Sequence, residues 1–117
     1  MVALGGAVGA VLRFYVAQSI PAESFPWATL TVNLVGSLLL GSLTALAAAA
    51  LIGEQQALLL GMGILGAFTT MSTFSLETAT LLDDERWLSA LGYLALTLVL
   101  GPMMAILGWK GTAHLIG

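Results

Sequence analysis

Four long apolar runs separated by short polar breaks dominate the sequence and leave room for little besides membrane-spanning helices. They run from about residue 2 to Ile20, from Trp27 to Ile52, from Ala57 to Leu82 and from Trp87 to Trp109. A hydrocarbon core about 30 Å thick takes roughly 20 apolar residues in a helix. A transmembrane β-barrel would instead show segments of roughly 10 residues alternating between apolar and polar. The runs here are continuous and rich in Leu and Ala, so the spans are expected to be helical. A chain of 117 residues holds four of them as one domain over 1–117. Charge agrees: 8% of the residues are charged, against about 25% in ordinary soluble domains.

The same composition excludes several kinds of function. There is no cysteine, so disulfide scaffolds and thiolate-held metals are out. The net charge is -3, with Arg13, Arg86 and Lys110 as the only cations, so the basic field that nucleic acid needs is missing. His114 stands alone near the carboxyl end, without a second His or a Cys to make a metal site. Nothing resembles a phosphate-binding loop or a nucleophile with its base, and no enzyme activity is expected.

The breaks between runs carry the turn signals. Pro21 and the polar stretch from Ala22 to Pro26 end the first run, and Gly53 to Gln56 turn the chain after the second. Asp83, Asp84, Glu85 and Arg86 hold four of the nine charges and close the third. Trp27, Trp87 and Trp109 fall at span ends, where amphipathic rings prefer the interface. No cation precedes the first run and Arg13 lies within it, so that run is expected to remain as a span rather than act as a signal peptide.

Cations in the loops give no orientation. With the amino terminus inside, Lys110 falls on one side and Arg86 on the other, a vote of one each. A chain without bias can insert both ways, and two such copies can pair antiparallel about an axis in the membrane plane.

Small residues recur at intervals of four: Gly5 and Gly9 in the first span, and Ser37, Gly41, Ala45 and Ala49 after Asn33 in the second. Such stripes let helix backbones approach closely, which drives association in lipid. Asn33 is a different matter. An amide at membrane depth must find partners, and two readings stay open: it bonds across helices, or it lines a polar pathway.

The third run is the informative one. Gly61, Gly63 and Gly66 weaken helical order, and seven hydroxyl side chains follow between Thr69 and Thr80. A discontinuous helix accounts for this pattern, since freed backbone groups are tolerated only when buried in protein or lining a cavity. Hydroxyls, the Asn33 amide and the ring edge of Phe74 can donate toward an anion. Hydroxyls also accept, so the chemistry alone equally allows a cation or water pathway. In the fourth span Tyr93, Thr97 and Gly101 share a face, and Pro102 is expected to kink the helix. Tyr93 and Thr97 either continue the polar track or serve as interfacial anchor and intrahelical bond. Arg13 and Glu77 are charges well inside spans, which either pair, snorkel to the interfaces or serve transport.

Three stretches, GAVGAVLRF at Gly6 to Phe14, NLVGSLLLG at Asn33 to Gly41 and GAFTTMSTFS at Gly66 to Ser75, resemble the Fluc (CrcB) family of fluoride channels in order and chain size. The resemblance implies an all-α membrane protein with its third helix broken near the middle, assembled as an antiparallel dual-topology homodimer in the cell's inner (plasma) membrane. It implies a passive pathway that exports fluoride and lowers its toxicity, and a structural sodium ion at the dimer centre. By position, Gly66 and Thr69 would give backbone carbonyls to the sodium. Asn33 would project into the fluoride pathway, Phe74 would belong to its aromatic box, and Ser72 and Thr73 would extend it. Tyr93 and Thr97 match more loosely, while Arg13 and Glu77 match charged motif residues. The family's usual phenylalanine after the double threonine is Met71 here, which keeps volume and polarizability but lacks an electropositive ring edge. The alternative class is a proton-coupled transporter of the small multidrug-resistance type. That type relies on a carboxylate in its first span, where this chain carries Arg13. An accessory subunit would use the small-residue stripes but leave the seven hydroxyls unexplained.

Overall fold

The computed structural model describes residues 1–20 and 25–117, and these form helices and turns with no strand among them. Four helical segments are long and apolar enough to cross a membrane: Val2–Ser19, Trp27–Ala48, Glu54–Asp83 and Trp87–Ile116. The first is α1, the second α2. The third is composite, with α3 at Glu54–Ala57, a π-helical segment at Leu58–Leu65, α4 at Gly66–Phe68 and α5 at Met71–Asp83. The fourth is α6, Trp87–Ile116. The molecule measures 48 × 29 × 20 Å, long enough for a bilayer core of about 30 Å and part of its headgroup layers.

Helix ends differ from the limits of the apolar runs where local chemistry decides them. α2 stops at Ala48 rather than continuing to Ile52, because Ala50 adopts a left-handed conformation (φ 58°). The third segment begins at Glu54, ahead of the apolar run, where the Gly53 N–H donates to Gln56 Oε1 at 2.6 Å. α6 runs to Ile116, past the expected end at Trp109, since Lys110 to Ile116 offers no breaker stronger than Gly111. Pro102 lies inside α6 without ending it. The stop expected at Pro21 and Ala22 to Ser24 lies outside the described residues.

Glycines set two of the helix contacts. α2 packs along α6 with Gly41 against the Ala105 carbonyl and Gly108 against the Leu38 carbonyl, so close that a Cβ at either would collide with backbone. Ser42 Oγ lies 3.1 Å from the Leu38 carbonyl and 3.3 Å from that of Gly108, adding polar contact across the same crossing. α1 packs on the π-helical segment, where a Cβ at Gly5 would lie 2.5 Å from the Leu59 carbonyl oxygen and one at Gly9 would collide with that of Ile64. Packing of this closeness suits lipid, where apolar burial no longer favours helix association.

The buried interior is small, centred on Leu30, Phe74, Leu81, Ala90 and Tyr93 between α2, α5 and α6. Most other large apolar side chains face outward, as expected where the surroundings are hydrocarbon.

Candidate functional site

Two residues separate α4 from α5. Thr69 has ψ 158° and Thr70 has φ -151° and ψ 120°, both extended, whereas Gly66 itself is helical (φ -62°, ψ -38°). The extended backbone thus falls at the double threonine, one turn later than the glycine. A new helix starting there needs its free N–H groups satisfied. Thr70 is its cap: the Thr73 N–H donates to Thr70 Oγ1 at 3.2 Å.

Asn33 supplies the other partners. Its Nδ2 donates to the Thr70 carbonyl at 3.0 Å, and its Oδ1 accepts the Thr70 N–H at 2.8 Å. The side-chain amide stands in for a neighbouring backbone and satisfies both polar groups of a residue that has left the helix. In an unbroken helix the Thr70 N–H would bond the Gly66 carbonyl. With that donor taken by Asn33, the Gly66 carbonyl is released from its helical partner.

A cavity of about 450 Å³ opens at this point. Asn33, Gly66, Thr69, Met71, Phe74 and Thr97 all line it, together with Thr70, and no charged residue does. Thr97 Oγ1 is buried and has no hydrogen-bond partner among the described residues, so it does not bond back to its own helix. Several other hydroxyls do: Thr69, Ser75, Thr78 and Thr80 donate to the carbonyls four residues earlier, at 2.8 to 3.0 Å. Their polarity is largely spent on their own helix, a role the clustering of hydroxyls in the sequence did not distinguish from lining a path.

The remaining expected residues are placed elsewhere. Tyr93 is fully buried, its hydroxyl donating to Glu77 Oε1 at 3.0 Å and its ring meeting Phe74 edge-on at 4.9 Å between centroids. Phe25 also meets the Tyr93 ring edge-on, at 5.5 Å between centroids. Glu77 is thus partnered by Tyr93. Arg13 lines a separate cavity of about 400 Å³ with Thr73, and Thr70 forms part of that wall too. Ser72 is exposed and Met71 is 72% exposed at the mouth of the Asn33 cavity. Phe68 is buried beside Gly36 rather than facing that cavity.

Sequence reasoning missed Thr70, Phe25 and Gly36. A threonine ahead of a new helical turn is a cap signal and could have marked Thr70. Gly36 makes room for Thr69, whose methyl a Cβ at position 36 would strike. No sequence pattern points to Phe25.

Comparison with known proteins bears on the site. The family described as "CrcB-like protein, Camphor Resistance (CrcB)" matches residues 1–109. The chain is 37% identical to the fluoride-specific ion channel FluC of Helicobacter pylori J99, over 98% of this chain and 92% of that protein. It is 44% identical to FluC of Shewanella loihica, over 92% of this chain and 89% of that one. It is 46% identical to FluC 2 of Mycobacterium tuberculosis H37Rv, over 92% and 84% respectively.

Proposed function

From the premise that this chain belongs to the CrcB family, we propose that it is a passive, fluoride-selective channel that lets the ion leave the cell and so lowers its toxicity. The observation that carries this reading is the uncharged cavity at Thr69 and Thr70, held open by the Asn33 clamp. A small anion binds its water tightly, and amide and hydroxyl donors can replace that water in steps. A lysine or arginine side chain bonded directly to the ion would hold it too strongly to let it go, and none lines the cavity. Asn33 keeps a second Nδ2 proton beyond the one given to Thr70, and Thr97 keeps its hydroxyl unpartnered, so both retain capacity to donate. Phe74 lines the same cavity, and Met71 at its mouth is a soft, polarizable contact in place of a second ring.

The donor set also fits a structural sodium ion. Neutral carbonyl oxygens suit an alkali cation, and the Gly66 carbonyl has lost its helical donor beside Thr69 in the same cavity. Among the described residues there is no cluster of His, Cys, Asp or Glu to favour another metal. Gly66 and Thr69 would hold the ion through their backbone carbonyls, and the ion would supply positive charge where the backbone has left the helix.

A second copy completes the reading. Gly66, Met71 and Ser72 are exposed at membrane depth, where freed backbone groups need protein rather than lipid around them. An antiparallel partner would cover them, and the absent loop-charge bias permits both insertions. Single cysteines placed at position 117 are expected to react with a membrane-impermeant thiol reagent from both faces of oriented vesicles. Reaction from one face only would exclude dual insertion.

Passive conduction is separated from proton coupling by one experiment. Fluoride efflux from proteoliposomes, with valinomycin carrying potassium as the counter-ion and followed with an ion-selective electrode, is expected to proceed equally well with and without an imposed pH gradient. Efflux that stops when the gradient is removed would favour the coupled transporter instead. The first span argues against that alternative by carrying Arg13 where a carboxylate would be needed, and Glu77 is already engaged by Tyr93.

A further inference from the structure

Thr70 stands between two cavities. It is 9% exposed and lines both the Asn33 cavity of about 450 Å³ and the Arg13 cavity of about 400 Å³, the one residue common to the two walls among the described residues. Its backbone is fixed at both polar groups by Asn33, at 2.8 and 3.0 Å. Its hydroxyl oxygen accepts the Thr73 N–H at 3.2 Å. A hydroxyl that accepts in this way still has one proton to give. Among the described residues the Thr70 hydroxyl makes no hydrogen bond as a donor, whereas those of Thr69, Ser75, Thr78 and Thr80 donate to carbonyls four residues back. Thr70 lacks that outlet because its own backbone is extended.

We infer that the Thr70 hydroxyl is a donor to the permeating anion at the partition between the two cavities, passing it from the Arg13 side to the Asn33 side. The inference rests on the reading of the chain as a fluoride channel and adds a residue to it. Three features make the group suited to the task. The N–H it accepts polarises the hydroxyl, since chained hydrogen bonds strengthen one another. Its position is fixed by three hydrogen bonds, so little ordering is needed when the ion arrives. Beyond it, toward α1, Arg13 is the charged residue in the wall, and a cation set back from the narrowest point draws anions in without trapping them there.

The cap and the donor are separable by substitution. Thr70→Ser keeps both. Thr70→Val keeps the shape and loses both, and the lost cap alone is a modest effect. Thr70→Asp keeps a good cap but, ionised, has no proton and faces the ion with negative charge. Fluoride flux from proteoliposomes is measured beside wild type, with helix content and elution in detergent as the check on folding. Thr70→Ser is expected to conduct within about twofold of wild type, while folded Thr70→Val and Thr70→Asp fall by about tenfold, the scale of one hydrogen bond to a charged group. Thr70→Asp conducting as well as wild type would overturn the inference, because a cap alone would then suffice. So would failure of Thr70→Ser, because the methyl and not the hydroxyl would then matter. Both of those results leave the channel reading standing, whereas a wild-type protein that passes no fluoride overturns the reading and the inference together.

Discussion

Asn33→Asp is expected to cut fluoride flux by at least about tenfold in protein that still inserts and elutes as wild type does. Two effects add. The Asn33 Nδ2 that donates to the Thr70 carbonyl at 3.0 Å becomes an oxygen facing an oxygen, so a buried acceptor loses its partner. Such a loss costs about 1–3 kcal/mol. The new carboxylate also puts negative charge in a cavity proposed to carry an anion. At a separation of about 4 Å and an effective dielectric of about 20, that repulsion is on the order of 4 kcal/mol, against 1.4 kcal/mol for each factor of ten. Electrode traces from proteoliposomes measure the outcome. Unchanged flux would take Asn33 out of the pathway and leave it as a structural clamp.

The largest effect on stability is expected at the crossing of α2 and α6. Gly41→Val should abolish recovery of folded protein from membranes, or lower its melting temperature in detergent by well over ten degrees. Any side chain at position 41 meets the Ala105 carbonyl and the Trp109 backbone nitrogen, and neither can swing aside as a flexible side chain would. Overpacking costs about 1–3 kcal/mol even where side chains can adjust. Here the two helices must part along a shared face that also holds Ser42 and Gly108. Gly92→Val on α6 is the control, since nothing lies within 4 Å of a Cβ there. Equal stability of the Gly41 and Gly92 variants would mean that the helices do not cross as described.

Much of this architecture is legible in the sequence because it follows from the solvent. Apolar runs of span length give four helices, and small residues at intervals of four give the close crossings at Gly5, Gly9 and Gly41. Asn33 announces that an amide must be satisfied, and the structure shows how, through the backbone of Thr70. The partner itself was not legible, because a bond between residues 37 positions apart depends on how α2 and the third segment lie in register.

Other features have no local signature. Nothing in the residues Leu58–Leu65 distinguishes a π-helical segment from an α-helical one, and this segment lies against α1. The glycines drew attention to Gly66, yet the extended residues are Thr69 and Thr70, because a capping hydroxyl and an amide partner stabilise departure from the helix there. Tyr93 carries a polar group at span depth and was open to two readings. The structure places it in the core with its hydroxyl on Glu77, a contact set by the crossing of α5 and α6.

Side-by-side efflux of fluoride and chloride from proteoliposomes containing the purified wild-type chain tests the central claim most directly. Uncharged donors that stand in for water around a small halide should pass fluoride at a rate far above the empty-vesicle background while chloride stays at that background. Chloride leaving as fast as fluoride, or fluoride no faster than from empty vesicles, would contradict it.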